Sequence, residues 1–165
     1  MAMKMIVAIK LSKTLLVAAA ALFSTLVVFN NLVDYQSNYL YVQHVLTMDT
    51  TGNLTQADWR AVHDPWIWKA VYSLIIAVEA AIALLCWAGG CRMAFNIRSP
   101  GFHESKSLAM VGLTLGVLLW FVAFMAISGE WFLAWQSQSW NGIQSGFRVA
   151  TLFFLTLMYL GQEER

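Results

Sequence analysis

The sequence predicts an all-α fold, a four-helix transmembrane bundle in which a long outer connection joins the first two helices. Four stretches of about twenty apolar residues predict it, because a helix of that length crosses the roughly 30 Å hydrocarbon core of a bilayer. They lie near residues 12–33, 66–89, 107–128 and 143–161. Composition agrees, since 59% of the 165 residues are hydrophobic and 12% are charged, whereas about a quarter of a soluble domain is charged. We therefore expect one integral membrane domain over residues 1–165.

The distribution of charge predicts the orientation of the bundle. Basic residues cluster at the start of the chain and between the second and third helices: Lys4, Lys10, Lys13, Arg92, Arg98 and Lys106. The connection between the first two helices instead has four aspartates and the single Arg60. By the positive-inside rule, the basic end with both termini is cytoplasmic and the long connection is outside.

The first helix resembles a secretory signal peptide, because lysines precede an apolar run that starts at Leu15. The run continues to Val33, which is longer than a signal-peptide core, and no small-x-small cleavage site follows it. We expect an uncleaved membrane anchor.

The second helix carries Glu79 near its middle. The residue lies thirteen positions past Trp66, about 20 Å along the helix, and Tyr72 lies seven positions earlier on nearly the same face. A carboxylate at this depth is costly, so it pairs, protonates or lines a polar path. One hypothesis is structural, with a hydrogen bond to a backbone carbonyl or to Ser24 or Thr25. The other is that Glu79 binds a proton, an ion or a polar ligand.

The third helix carries Gly112 and Gly116 at GxxxG spacing. The second helix has small residues at the same interval, Ser73, Ala77 and Ala81. Small residues let helix backbones approach closely in lipid, so these two faces are expected to meet inside the bundle. A homodimer seam is the alternative.

The last connection and the fourth helix supply an ion pair and an aromatic surface. Arg148 lies about one turn into the fourth helix and is expected to pair with Glu130 or to snorkel outward, rather than to pair with Glu79. Trp131 and Trp135 are one helical turn apart. They either anchor the outer side in lipid headgroups or form a docking ridge for another membrane subunit.

No motif for catalysis or for cofactor binding is present. There is no nucleophile with a base, and the histidines of the outer connection, His44 and His63, lack a recognised metal-ligand spacing. We therefore predict no enzyme activity, no metal site and no cofactor. A net charge of +1 gives no field for a nucleic-acid partner. Residues 53–55 spell a glycosylation sequon, Asn-Leu-Thr.

One stretch resembles a known family. Its signature residues run from the end of the first helix into the outer connection: Asn30, Asn31, Leu32, Asp34, Tyr35, Ser37, Asn38, Val42, Gln43, His44, Val45, Leu46, Met48, Asp49 and Thr50. They look like the signature of a bacterial family of predicted small integral membrane proteins of unknown function. The resemblance implies four helices and a bacterial inner-membrane location, and it makes residues 30–50 the most family-specific surface.

Two functional hypotheses follow. The first is an accessory or assembly subunit that contacts the bilayer and binds a larger membrane complex or a second copy of itself. Its candidate interaction surface comprises Asn30, Asn31, Asp34, Tyr35, His44, Asp49, Trp131 and Trp135. The alternative is a small carrier or conduit for a proton, an ion or a polar or lipidic ligand that uses Glu79. A polar cavity that reaches Glu79 favours the carrier, and a dry core with exposed aromatic surface outside favours the accessory subunit.

Overall fold

The computed structural model describes residues 2–52 and 56–164, and the sequon at residues 53–55 lies outside them. Six α-helices are present in the described part of the chain: α1 (Ala2–Val33), α2 (Tyr35–Thr47), α3 (Pro65–Phe95), α4 (Phe102–Ser105), α5 (Ser107–Leu118) and α6 (Ile143–Gly161). A π-helical segment, Leu119–Trp131, continues α5, and single 3-10 turns occur at Asp58–Arg60 and Ala134–Gln136.

Four helical spans are long and apolar enough to cross a membrane, which confirms the predicted all-α fold with four spans. They are Met3–Val33, Pro65–Phe95, Phe102–Trp131 and Ile143–Gly161. The first two are longer than predicted, because α1 begins at Ala2 and α3 continues to Phe95. A helix of this length extends about 46 Å, more than the hydrocarbon core, so it tilts or projects beyond the bilayer.

The spans pack as a ring, with α1 against α3, α3 against α5, α5 against α6, and α6 against α1. Glycines bring the helices together. A Cβ atom added to Gly89 would lie 2.3 Å from the backbone nitrogen of Ala109, and one added to Gly112 would lie 2.8 Å from Cys86 Sγ. The α3–α5 contact therefore depends on close backbone approach, as expected in lipid.

The predicted meeting of the two small-residue faces is wrong. Ser73 and Ala77 of α3 are exposed, and Gly112 contacts Leu85 and Cys86 instead. Gly116 packs against Phe153 of α6, where an added Cβ would lie 2.3 Å from the ring. The GxxxG spacing identified a close-packing face of α5, and Gly112 does meet α3, but at Leu85 and Cys86, one turn past Ala81, rather than at Ser73 and Ala77.

The third span changes from α-helical to π-helical hydrogen bonding at Leu119. The change persists to the end of the span, where Phe132 N–H donates to the Ile127 carbonyl, five residues back, at 3.0 Å. The chain then turns at Leu133, whose φ is 54°, so Trp135 lies in a separate 3-10 turn. The expected pair of tryptophans one helical turn apart is therefore not formed.

The long connection contains a helix that the sequence analysis did not predict. α2 starts directly after Asp34, buries Val42, Val45 and Leu46, and packs mainly on α3. The chain returns with Val62 N–H donating to the Leu46 carbonyl at 2.8 Å. This part of the molecule is called the α2 end, and the opposite side, which holds both termini, is called the termini end.

A buried ionic cluster joins three elements at the termini end. Glu164 Oε1 accepts from Lys13 Nζ at 2.5 Å and from Lys106 Nζ at 2.7 Å, and both lysines are only 1% exposed. Lys106 also donates to the Leu160 carbonyl at 3.0 Å. Burial alone would raise the pKa of the Glu164 carboxyl, but the hydrogen bonds and charges of Lys106 and Lys13 lower that pKa below its ordinary value. The cluster holds Glu164 against α1 and against the junction between α4 and α5.

Candidate functional site

A polar cavity of about 500 Å³ enters the bundle from the α2 end and reaches Glu79. Its size is that of a small-molecule site. The polar side chains that line it are Asn30, Asn31, Ser37, Asn38, Tyr41, Tyr72, Glu79, Ser139, Trp140, Asn141 and Ser145. They come from α1, α2, α3, α6 and the connection before α6, so the cavity exists only when the whole bundle is assembled.

The deep part of the cavity is formed by three buried residues, which we call the Glu79 triad: Asn31, Tyr72 and Glu79. Their exposed fractions are 8%, 2% and 3%. Asn31 Nδ2 donates to Glu79 Oε2 at 2.5 Å, and the Tyr72 hydroxyl donates to the backbone carbonyl of Asn31 at 3.0 Å. Tyr72 and Glu79 are seven residues apart in α3 and share one face, so both contact the same residue of α1. The triad fixes one carboxyl oxygen.

The predicted partners of Glu79 in α1, Ser24 and Thr25, are wrong. Both hydroxyls donate to carbonyls one turn earlier in their own helix, at 3.0 and 2.8 Å. The prediction assumed that α1 and α3 end at the same level on the outer side. Along α3, Asn31 lies at a level between Tyr72 and Glu79, because both residues contact it. About ten residues of α3, a length of about 15 Å, therefore extend beyond the level of Asn31 on the outer side. The true partner is therefore nearer the end of α1.

An aromatic wall of four rings completes the cavity: Tyr41, Trp120, Phe124 and Trp140. Trp120 stacks on Phe124 with ring centroids 4.4 Å apart, Phe124 stacks on Tyr41 at 6.1 Å, and Tyr41 contacts Trp140 at 6.4 Å. The π-helical segment supplies two of these rings, α2 one, and the connection before α6 one. The wall therefore comes from other elements than α1 and α3, which supply the triad.

Tyr41 links the cavity to the surrounding structure. Its hydroxyl hydrogen-bonds with Ser128 Oγ at 3.2 Å. Burial raises the pKa of Tyr41, while the hydrogen bonds to Ser128 and to the backbone of Gly142 oppose that shift. The phenol therefore stays protonated at neutral pH and can donate a hydrogen bond.

A second cavity, of about 440 Å³, also contacts Tyr41 and is almost entirely apolar. It shares Tyr41, Val42, Ile75 and Phe124 with the polar cavity. The two cavities therefore share one wall, and several side chains of the apolar cavity, such as Leu74 at 63%, are exposed.

Some of the predicted interaction residues between Asn30 and Asp49 line the cavity, and the others lie behind or beside it. Asn30 and Asn31 line the cavity. His44 stacks on Trp140 at 4.5 Å, and its Nδ1 lies 2.8 Å from Asp49 Oδ2, so this pair supports the aromatic wall. The remaining two residues lie beside the cavity. Asp34 accepts from the Ser37 hydroxyl at 2.8 Å, and Tyr35 packs on Tyr72 at 4.8 Å.

The predicted ion pair between Glu130 and Arg148 is wrong. Both side chains are exposed, and no ion pair joins them among the residues that the structure describes. Depth along the helices suggested the pair, but Glu130 lies in the π-helical segment. The wider π turns change the direction in which a side chain points.

The exposed tryptophans at the α2 end have a partner that the sequence analysis missed. Trp131 contacts Trp59 edge to face at 5.6 Å, and the Arg60 guanidinium lies 4.8 Å from the Trp131 ring. Arg60 Nη1 also donates to the Trp131 carbonyl at 3.2 Å. The exposed fractions of Trp59, Trp131 and Trp135 are 70%, 47% and 52%. We call these three the tryptophan surface.

Comparison with known proteins identifies the family. Residues 9–163 match the sequence profile of a family described as predicted small integral membrane protein (DUF2165). No curated protein and no solved structure matches the chain. The match confirms the predicted resemblance to this family, and because it covers nearly the whole chain, the protein belongs to this family of predicted small integral membrane proteins.

Proposed function

We propose that the protein binds a small polar ligand in the cavity at its α2 end, as the binding step of a small carrier. The observation that carries the proposal is that the cavity reaches the Glu79 triad. A carboxyl at membrane depth is expensive to bury. A purely structural carboxyl would be enclosed by its partners, whereas Glu79, although only 3% exposed, lines the cavity together with its partner Asn31.

The rest of the bundle argues for binding rather than for an open channel. Side chains that are at most 1% exposed fill the interior between Glu79 and the termini end: Val17, Ile82, Cys86 and Leu113. A continuous polar path through the protomer is therefore absent from the described residues. Passage of a ligand across the membrane requires a conformational change of this packed half.

The test is a ligand screen on the purified full-length protein in lipid nanodiscs. Shifts of the unfolding temperature are measured with small polar compounds that are neutral, cationic or anionic, because a ligand that binds only the folded state raises that temperature. Hits are repeated on Ser145→Trp, which fills the cavity mouth, and on Gln144→Trp, an exposed neighbour outside the cavity. We expect hits that Ser145→Trp abolishes and Gln144→Trp keeps. A screen without any such compound contradicts the proposal.

The second candidate function is an accessory subunit of a larger membrane complex. The exposed tryptophan surface, held in place by Arg60, favours it, because aromatic residues anchor interfaces. The test is mass spectrometry of proteins that copurify after gentle extraction at native expression level. A stoichiometric partner that is lost in Trp59→Ala with Trp131→Ala, but kept in Trp66→Ala, supports this role. Recovery of the protein alone, or only as a homo-oligomer, contradicts it.

The proposed location is the bacterial cytoplasmic membrane with the termini end inside. The clustering of basic residues supports this orientation, because Lys10 of α1 donates to the Ser99 carbonyl at 3.2 Å and so lies beside the basic connection between α3 and α5. In this orientation the cavity opens to the outside.

A further inference from the structure

We propose that the ligand is a small organic ammonium ion, bound with its positive charge near Glu79 and its carbon substituents against the aromatic wall. The inference rests on the proposed binding function and adds the chemical class of the ligand. The charges and the aromatic rings that line the cavity support it.

The cavity contains one carboxyl group and no cationic side chain. No lysine, arginine or histidine occurs among its lining residues. The basic side chains around the α2 end have other contacts or are exposed. Arg60 lies on Trp131, Lys69 lies 5.6 Å from the Trp66 ring, and Arg148 is exposed. His44, behind Trp140, is paired with Asp49. A buried carboxylate without a cation is costly, so a ligand that brings a positive charge gains the most from this site.

The protein satisfies only part of the hydrogen-bonding capacity of the carboxyl. Glu79 Oε2 accepts from Asn31, and no other hydrogen bond reaches the carboxyl from the described residues. An ionised carboxylate has about four acceptor positions on its two oxygens. The remaining positions are available to an ammonium group that enters the cavity.

The aromatic wall selects an organic cation over a metal ion. Ring faces attract cations, and recognition of alkylammonium groups by aromatic residues is a recurrent use of this interaction. A divalent cation such as Ca²⁺ instead takes about six to eight oxygen ligands, usually with several carboxylates. No group of three or more His, Cys, Asp or Glu side chains that could hold a metal occurs in the described part of the chain.

The outer part of the cavity suits a hydroxylated ammonium ion. Asn38 and Asn141 line it together with Ser139 and Ser145. These amides and hydroxyls both donate and accept hydrogen bonds. They provide partners for a neutral polar group on the same ligand.

The experiment uses choline and its neutral isostere 3,3-dimethyl-1-butanol, in which carbon replaces the charged nitrogen. Both are titrated on the full-length protein in nanodiscs at constant ionic strength, with sodium chloride as the salt control. We expect choline to raise the unfolding temperature and the isostere and sodium chloride to leave it unchanged. The affinity for choline falls at least tenfold in Glu79→Gln.

A second pair of variants keeps the test informative if Glu79→Gln fails to fold. Trp140→Leu removes a ring of the aromatic wall and is expected to weaken choline binding severalfold, while Trp135→Leu, outside the cavity, leaves it unchanged. Equal shifts from choline and its isostere overturn the inference, as does an absence of any shift from choline, ethanolamine and tetramethylammonium. A neutral or anionic compound that only Ser145→Trp excludes would retain the binding function and overturn the ammonium assignment.

Discussion

Asn30 and Asn31 are neighbours in sequence with opposite environments. Asn30 is exposed, whereas Asn31 is buried and bonded to Glu79. An asparagine near the end of an apolar helix is usual at a membrane boundary, so the hydrogen bond from Asn31 to Glu79 could not be predicted from α1 alone. Glu79 could be singled out from the sequence because burial of a carboxyl in the middle of a membrane span costs free energy, so the residue requires a partner or a polar surrounding. Its partner depended on how far α3 extends past α1, which no local pattern encodes.

The first prediction concerns this hydrogen bond. Asn31→Leu leaves the Glu79 carboxyl without its protein donor and is expected to lower the free energy of unfolding by about 1–3 kcal/mol. In a Glu79→Leu background the same change should cost much less, because the two residues interact directly. The measurement is denaturant unfolding of all four proteins in mixed micelles. Asn30→Leu is the control, and equal costs in both backgrounds would refute the assigned contact.

Among the helices, the four spans could be predicted from the sequence, but α2 and the π-helical segment could not. Length and hydropathy identify a span because lipid leaves few alternatives to a helix. α2 was missed because only a short apolar stripe, Val42, Val45 and Leu46, marks it within a polar connection. The π-helical segment has no compositional signal, since residues 119–131 read as a continuation of α5. The error at Glu130 follows from that segment, and the error at Trp135 follows from the turn at Leu133 after it.

Packing of α5 on α6 gives the second prediction. Gly116→Ala places a Cβ 2.3 Å from the Phe153 ring, so the ring or the helix must shift. We expect a loss of about 1–3 kcal/mol in the free energy of unfolding. Gly161→Ala is the matched control, because an added Cβ there meets nothing within 4 Å. A loss of the same size in both variants would contradict the assigned contact with Phe153, because Gly→Ala within a helix otherwise favours folding through helix propensity and a lower entropy of the unfolded chain.

At the scale of the whole molecule, the two ends of the bundle differ. The termini end is held together by the buried Glu164 cluster, and the α2 end contains the polar cavity. The third prediction is that Glu164→Gln lowers the free energy of unfolding by about 3 kcal/mol at neutral pH, because two buried ammonium groups lose their anion. Since the folded pKa of Glu164 lies below its ordinary value of 4.5, this stabilisation is complete above about pH 4.5 and is lost as the pH falls through the folded pKa. Unfolding of both proteins is measured from pH 7 to pH 3. The exposed Glu104→Gln is the control, and a difference that persists unchanged at pH 3 would argue against the cluster.

The orientation of the bundle decides from which side a ligand arrives, and two cysteine positions test it. Cys91 is exposed near the termini end, and Ser139 lines the cavity at the α2 end. In intact cells that express the protein, a membrane-impermeant maleimide should label Ser139→Cys in a Cys91→Ser background. It should label native Cys91 only after permeabilisation, because the positive-inside rule predicts that the basic end is cytoplasmic. Choline should also protect Ser139→Cys from labelling if the ammonium ion occupies the cavity. The reverse labelling pattern would place the cavity in the cytoplasm, and the proposed carrier would then load from inside the cell.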